Sequence, residues 1–344
     1  MTDDKVLTLA FIGNGRSANR YHIPFVRMRP DKFRIKYVYE RSRGTSAWPY
    51  LDGVTYTDDL DEVLSDPEVD VVAVCTMHDS HHDYALRCLE AGKNIIVEKP
   101  FAASSEEARE VFDRAEELGL FATAMQNRRY DSDYLTLKKV LESGRLGQVY
   151  EIETHFDYWR PDTPEGCHEY VPWLSFVFGH AVHTIDQAVA LFGEPDSVHY
   201  DCRQLLGEGR MNDYFDIDLN FGPVKYSTKA SYFRTSERPS FEAWGTRGHF
   251  VKQGKDRQEE HLKLFHMPDE PDFGLDRPQD FGSLTWYDDE GGFHEERVPS
   301  ERGDYARVYD DVYDALVNGK PQLVEPEQTL MVMGMLEDAI AGLK

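Results

Sequence analysis

Basic residues are scarce in this chain of 344: 38 lysines and arginines face 63 aspartates and glutamates, a formal net charge of −25 at pH 7. A field of that sign repels phosphate backbones and anionic membrane surfaces, so neither nucleic acid nor membrane is an expected partner. The bland meaning of the excess acid is solubility. Nowhere do about 18 apolar residues follow one another, which removes a spanning helix. The start MTDDKVLTLAFIG has neither a basic leader nor a small-residue cleavage site, and the expected location is the cytoplasm. Cysteine is rare too. Cys75, Cys88, Cys167 and Cys202 are widely spaced, form no CxxC pair and read as free thiols. Internal repeats and low-complexity linkers are absent. What remains, with 40% hydrophobic and 12% aromatic residues, is an ordered globular chain long enough for two domains.

The first ~130 residues alternate short β-branched runs with longer amphipathic stretches, the pattern of βα units around a parallel sheet. Strands are expected at Leu7 to Gly13, Arg34 to Glu40, Val69 to Thr76 and Asn94 to Glu98, each short and apolar as buried parallel strands are. Helices are expected at His81 to Ala91, closed by Gly92, and at Ser104 to Leu118, opened by serines and an acidic first turn. Beyond residue ~145 come longer alternating segments, Gln148 to Trp159, Asp213 to Phe221 and Val224 to Phe233. They predict a mostly antiparallel sheet, with helices at Val182 to Phe192, Tyr305 to Asn318 and Pro326 to Leu343. Lys255 to Gly282, rich in charge and proline, reads as a long loop. The expected fold class is α/β: a Rossmann-type doubly wound parallel sheet over residues 1–125, then an α+β domain with a large, mostly antiparallel sheet over residues 126–344.

Directly after the first strand comes Gly13-Asn14-Gly15-Arg16-Ser17-Ala18. Gly13 permits a tight turn, Gly15 lets backbone amides approach a pyrophosphate, and small Ala18 lets helix and strand pack closely. Glu40 closes the second strand 22 residues after Ala18, near the roughly 20 expected of an acid that binds the adenosine ribose. Its carboxylate favours NAD(H), while Arg41, Ser42 and Arg43 offer the extra phosphate of NADP(H) a clamp, so NADP(H) stands as the alternative. Glu98-Lys99-Pro100 ends the fourth strand, where ligands collect outside the carboxyl ends of an open α/β sheet, and Lys99 is placed to reach a substrate. His180 and His183 share a helix face, and His78, His81 and His82 cluster. No cysteine or carboxylate set completes a metal site with them, and none is expected.

These motifs resemble the Gfo/Idh/MocA family of nicotinamide-dependent oxidoreductases, typified by glucose-fructose oxidoreductase and inositol dehydrogenase. The likeness runs along essentially the whole chain. It includes Gly13-x-Gly15-x-x-Ala18, Thr76-Met77-His78-Asp79-Ser80-His81 leading to Ala85, Ala91-Gly92-Lys93 and Glu98-Lys99-Pro100. It continues through Gln126-Asn127-Arg128-Arg129, His183-Thr184-Ile185-Asp186 and Leu191-Phe192-Gly193. Met77 stands where the family usually has proline.

The resemblance implies Thr76, His81, Glu98, Lys99 and Asn127 as cofactor contacts beside Gly13, Asn14, Gly15, Arg16, Ser17, Glu40 and Arg41. It makes Lys99 the lysine on the substrate hydroxyl and His183 the general acid/base. An imidazole suits removal of a hydroxyl proton as hydride leaves, and a lysine cation stabilises developing alkoxide charge. Asp186, three residues on, is near enough to orient His183 and counts as the third catalytic residue, with capping or a structural salt bridge as equal alternatives. Many family members carry an aspartate four residues before this histidine; here that position is Gly179, followed by His180.

Tyr158, Trp159, Arg160, Trp173 and Tyr305 mix flat faces with polar tips at the expected second-domain entrance. Arg160, Tyr305, His180, His183 and Lys99 are the expected substrate contacts. The implied enzyme transfers a hydride to or from a CH–OH group of a sugar, sugar derivative or cyclitol. A lyase, epimerase or glycosidase with recycled cofactor, and a non-catalytic cofactor-binding regulator, are the alternatives. A homodimer or tetramer is expected, with one face of the second sheet used for self-association.

Overall fold

Every residue of β1 (Leu7–Ile12) is buried, as a strand with neighbours on both sides and helices on both faces must be. In the computed structural model, which describes residues 5–42, 44 and 47–344, β1 pairs in parallel with β2 (Phe33–Tyr39) and β4 (Val71–Val74). β3 (Thr55–Thr57) adds to β2, β5 (Asn94–Val97) to β4 and β6 (Ala122–Ala124) to β5, all in parallel. The order β3-β2-β1-β4-β5-β6 turns back at β1/β4, which is the Rossmann arrangement with its ligand crevice at that switch point. β3 and β6 were not foreseen, being three residues each and too short for a period to show. Ser104 caps its helix by accepting the Glu107 amide, and Gly92, at φ 75°, ends the helix His81–Glu90.

The chain forms two compact units. The first holds Met1–Gln126, Leu262–Pro271 and Tyr305–Met333; the second holds Asn127–His261, Asp272–Asp304 and Gly334–Lys344. In the first, the late helix Arg307–Asn318 is tied to the segment before β2 by Arg29 and Lys32, which converge on Asp310 at 2.9 and 2.6 Å.

The second unit is built on eight strands: β7 (Val149–His155), β8 (Ser197–Arg203), β9 (Tyr214–Phe221), β10 (Val224–Ser231), β11 (Phe241–Gly245), β12 (Gly248–Lys252), β13 (Gly282–Tyr287) and β14 (Phe293–Val298). Their order is β14-β13-β12-β11-β7-β10-β9-β8. Only the β7/β10 pair is parallel. β9 shows the alternation directly: Phe215, Ile217, Leu219 and Phe221 are buried while Tyr214, Asp216, Asp218 and Asn220 are half-buried on the other face. The helices Ser132–Glu142 and Val182–Phe192 lie against the sheet, the former on β11 and β12 and the latter on β10.

One expectation is overturned. Lys255 to Gly282 is not a long loop, because it contains the helix Gln258–Lys263 and buries Asp256, Gln258, His261, Leu262 and Phe273. Asp256 is buried, and the Asp276 side chain is enclosed too, where it meets a lysine from β12. The Lys252 ammonium, fully buried, meets the Asp276 carboxylate at 2.8 Å and the Gly254 and Asp280 carbonyls at 2.9 and 2.8 Å. All four cysteines are free thiols. No described helix is long and apolar enough to cross a membrane.

Candidate active site

At the carboxyl end of β1, Gly13 adopts φ 110°, and a β-carbon there would lie 2.6 Å from the Cys75 carbonyl oxygen. Two residues on, a β-carbon at Gly15 would have no heavy atom within 4 Å. The first glycine serves the turn and the second leaves a cradle open. Ala18 is fully buried, and the chain continues through a wide π turn, Ala18–His22, into the helical turn Ile23–Val26.

A crevice of about 1080 Å³ opens here, of the size that takes a large cofactor. Of the twelve expected nucleotide contacts, ten line it: Gly13, Asn14, Gly15, Arg16, Ser17, Glu40, Arg41, Thr76, Glu98 and Lys99. His81 does not. Its ring is fully buried, with Nδ1 2.9 Å from the Pro100 carbonyl and Nε2 3.2 Å from that of Thr76, so it braces two crevice loops against each other. Burial pushes its pKa down, and in the neutral form the ring donates to one of the two carbonyls at a time. Asn127 belongs to the second unit, where it is buried in the short turn Asn127–Tyr130. Arg43 lies outside the described residues. Tyr21, Trp48 and Tyr84 also line the crevice. Sequence reasoning missed them because an isolated aromatic carries no spacing signal.

Glu40 is buried and accepts from Asn14 Nδ2 at 2.9 Å, from the Gly44 amide at 3.1 Å and from the Tyr50 hydroxyl. It therefore anchors the following turn as well as facing the crevice. Glu98 accepts from Ser17 Oγ, from His22 Nε2 and from the backbone amide of Lys99. The Lys99–Pro100 peptide bond is cis.

In the second unit, His183 is buried in the first turn of the helix Val182–Phe192, just after the π turn Val177–Ala181 that carries Gly179 and His180. Gly179 lies outside the left-handed region and a β-carbon there would touch nothing within 4 Å, so backbone geometry does not demand a glycine. Asp186 holds Arg129 in a two-pronged buried ion pair at 2.8 and 2.7 Å, the structural salt bridge that was one of its expected roles. His180 packs among Phe176, Tyr158 and Phe156, ring centres 4.6, 5.2 and 5.7 Å away. Arg160 is exposed and lies over the Tyr158 ring at 4.2 Å. Lys255, absent from the sequence reading, sits over Phe156 and Tyr158 at 4.6 and 5.0 Å, and burial lowers its pKa. Tyr305, grouped with these aromatics by sequence, belongs to the first unit and is fully buried against Phe25.

Comparison with known proteins agrees with this geometry along nearly the whole chain. The Gfo/Idh/MocA model "Oxidoreductase family, NAD-binding Rossmann fold" matches residues 7–125, and its companion "Oxidoreductase family, C-terminal alpha/beta domain" matches residues 138–341. The chain belongs to the Gfo/Idh/MocA oxidoreductase family. Within this family it is 42% identical over 335 residues to the oxidoreductase YhhX of Escherichia coli (strain K12), covering 96% of this chain and 95% of that one. The crystal structure of YhhX superposes with a TM-score of 0.93 over 98% of each chain at 41% identity. The scyllo-inositol 2-dehydrogenase (NADP(+)) IolW of Bacillus subtilis (strain 168) is 26% identical over 340 residues, 98% of this chain and 94% of that one. The D-glucoside 3-dehydrogenase of Escherichia coli (strain K12) is 27% identical over 240 residues, 67% of this chain and 66% of that one.

Proposed function

We propose that this Gfo/Idh/MocA oxidoreductase transfers a hydride between a nicotinamide dinucleotide and a secondary alcohol of a sugar, sugar derivative or cyclitol. The observation that supports it most is the open cradle at Gly15, set in a crevice whose lining includes Glu40, Glu98 and Lys99. The residues fit such a cofactor: a turn without side-chain bulk for the pyrophosphate, and a carboxylate at the end of β2 for the ribose. The names of IolW and the glucoside dehydrogenase support the polyol substrate class. Residues 1–125 would take the nucleotide and residues 126–344 the substrate, in a homodimer or a tetramer of such dimers.

When bound, the nicotinamide supplies the hydride acceptor or donor. The chain supplies the rest. Lys99, through its ammonium, stabilises negative charge that grows on the substrate oxygen, and the His183 imidazole takes or returns the hydroxyl proton. Asp186 contributes through Arg129, by fixing the helix that carries His183, while Arg160 and His180 bear on substrate choice; Tyr305, fully buried against Phe25, serves packing. Glu40 makes NAD(H) the favoured cofactor over NADP(H), since a carboxylate repels the additional phosphate.

Calorimetric titration with NAD(H) and NADP(H), followed by a panel of sugars and cyclitols monitored at the NADH absorbance, tests the reading. NAD(H) is expected to bind more tightly, and Lys99→Ala to lower kcat by about 10²- to 10⁴-fold without unfolding the protein. A folded protein that binds neither dinucleotide overturns the proposal, and tighter NADP(H) binding overturns the cofactor choice.

A further inference from the structure

Beneath the crevice, where an aliphatic core would serve for packing alone, the first unit buries a chain of polar side chains. His22 is fully buried between Phe11 and Tyr309, whose ring centres are 6.0 and 6.2 Å away. Its Nε2 is 2.9 Å from Glu98 Oε1 and its Nδ1 is 2.6 Å from the Tyr309 hydroxyl. Ser17 Oγ donates to the same Glu98 oxygen, and Oε2 accepts the backbone amide of Lys99 at 2.9 Å.

Bond directions follow from the groups. An ionised carboxylate only accepts, so His22 donates to Glu98 from Nε2, while its Nδ1 and the Tyr309 hydroxyl share a second hydrogen bond. Burial opposes the Glu98 charge, but His22, Lys99 and Ser17 outweigh it and hold the carboxyl down at about 2. Burial keeps the surrounding Cys75 thiol and Tyr309 phenol protonated and the His81 ring neutral. Glu98 is thus the charged centre of the chain, faced by His22, Lys99 and Ser17. A buried polar chain of this kind is costly when half-satisfied and rigid when complete. This one runs from Tyr309, 287 residues from His22 in sequence, to the backbone of Lys99.

We infer that His22 and Tyr309 are positioning residues for Lys99, acting through the Glu98 carboxylate. This rests on Lys99 being the substrate-contacting lysine. The carboxylate, gripped by donors from the glycine-rich turn and from His22, fixes the peptide plane from which the Lys99 side chain projects, while Tyr309 holds the His22 ring in place through Nδ1. Without the imidazole donor, Glu98 titrates at higher pH and releases the Lys99 amide when it takes up a proton.

The test compares full-length His22→Phe and Tyr309→Phe with His22→Gln, whose amide restores a donor near the Nε2 position. Acetylation of Lys99 by acetic anhydride, resolved by peptide mass spectrometry from about pH 6 to about pH 10 on protein without substrate, reads the amine independently of turnover. In His22→Phe the Lys99 rate is expected to change about tenfold while other lysines react as in the wild type. Turnover falls about 10- to 100-fold in kcat with a smaller change in KM, and the acid limb of its pH profile moves upward. Tyr309→Phe shifts both readouts in the same direction by less, and His22→Gln returns them towards wild type. Unchanged Lys99 acetylation in both Phe variants overturns the inference. Changed acetylation together with full activity in Lys99→Ala upholds the positioning and overturns the functional reading instead. If His22→Phe does not fold, Tyr309→Phe, which removes a single oxygen, decides the matter.

Discussion

A methyl group at Gly13 would meet the Cys75 carbonyl oxygen at 2.6 Å from a backbone at φ 110°, whereas one at Gly15 would meet nothing within 4 Å. Gly13→Ala is therefore expected to destabilise the fold by about 2–4 kcal/mol, combining left-handed strain with a backbone collision. Gly15→Ala should unfold within about 1 kcal/mol of wild type yet bind dinucleotide more weakly, because its added carbon stands where the pyrophosphate must approach. Urea denaturation and calorimetric titration of both variants separate the two roles, and normal dinucleotide affinity in Gly15→Ala would count against the cradle. The glycines were legible in the sequence as a spaced motif, but the carbonyl that forbids a side chain at Gly13 comes from another strand. His81 shows the same limit: its residue type and loop were evident, while the two carbonyls that engage its nitrogens are set by tertiary packing. Asp186 and Arg129 both lay within quoted motifs, yet their pairing across 57 residues has no local signal.

Among the elements, the longer parallel strands were legible as short continuous apolar runs, buried on both faces, and the long helices because their burial repeats with a helical period. The segment from Lys255 to Gly282 was misread because charge was equated with solvent. It helps enclose a buried cluster in which Lys252 meets Asp276 at 2.8 Å, its charge reaches Asp133, and Asp133 in turn bears on Asp256. Three buried carboxyls against one cation leave the cluster short of positive charge, which favours uptake of a proton. Burial, reinforced by the Asp133 charge and only partly offset by the Ser132 and Gln258 amides, pushes Asp256 up to about 7. A carboxyl whose folded pKa lies above its unfolded value contributes stability that is complete below about pH 4 and is lost as pH rises through about 7. Asp256→Asn removes that dependence at the cost of one mismatched amide contact. The wild type should therefore lose about 2–3 kcal/mol relative to the variant between about pH 5 and about pH 7, near 1.4 kcal/mol per pH unit. Urea midpoints measured at both pH values check this, and a constant gap between the two proteins would refute it.

Over the whole molecule, a charge of −25 sets the terms on which two copies can meet. The cross-strand register brings Asn220, Lys225, Glu151, Trp244, His249, Thr285 and Glu295 into one row across the second sheet. The row is mostly polar, for the apolar half of the alternation faces the helices. Several of its charges pair within the chain, Lys225 with Glu151 at 3.0 Å and Lys229 with Glu153 at 2.6 Å, while His249 lies 2.9 Å from Glu242 with Trp244 stacked 3.4 Å over its ring. A second copy apposed on this face would gain aromatic and ladder contacts while meeting a like-charged field. Screening acts on those two terms unequally, since the Debye length falls from about 10 Å at 0.1 M salt to about 3 Å at 1 M, which weakens long-range repulsion more than close stacking. The proposed homodimer or tetramer is thus expected to tighten as salt rises over that range, with light scattering at micromolar protein showing a larger weight-average mass at the high end. A monomeric mass at every salt concentration would reject self-association. Dissociation on adding salt would instead mean that charge pairs between copies, and not stacked rings, hold the face together.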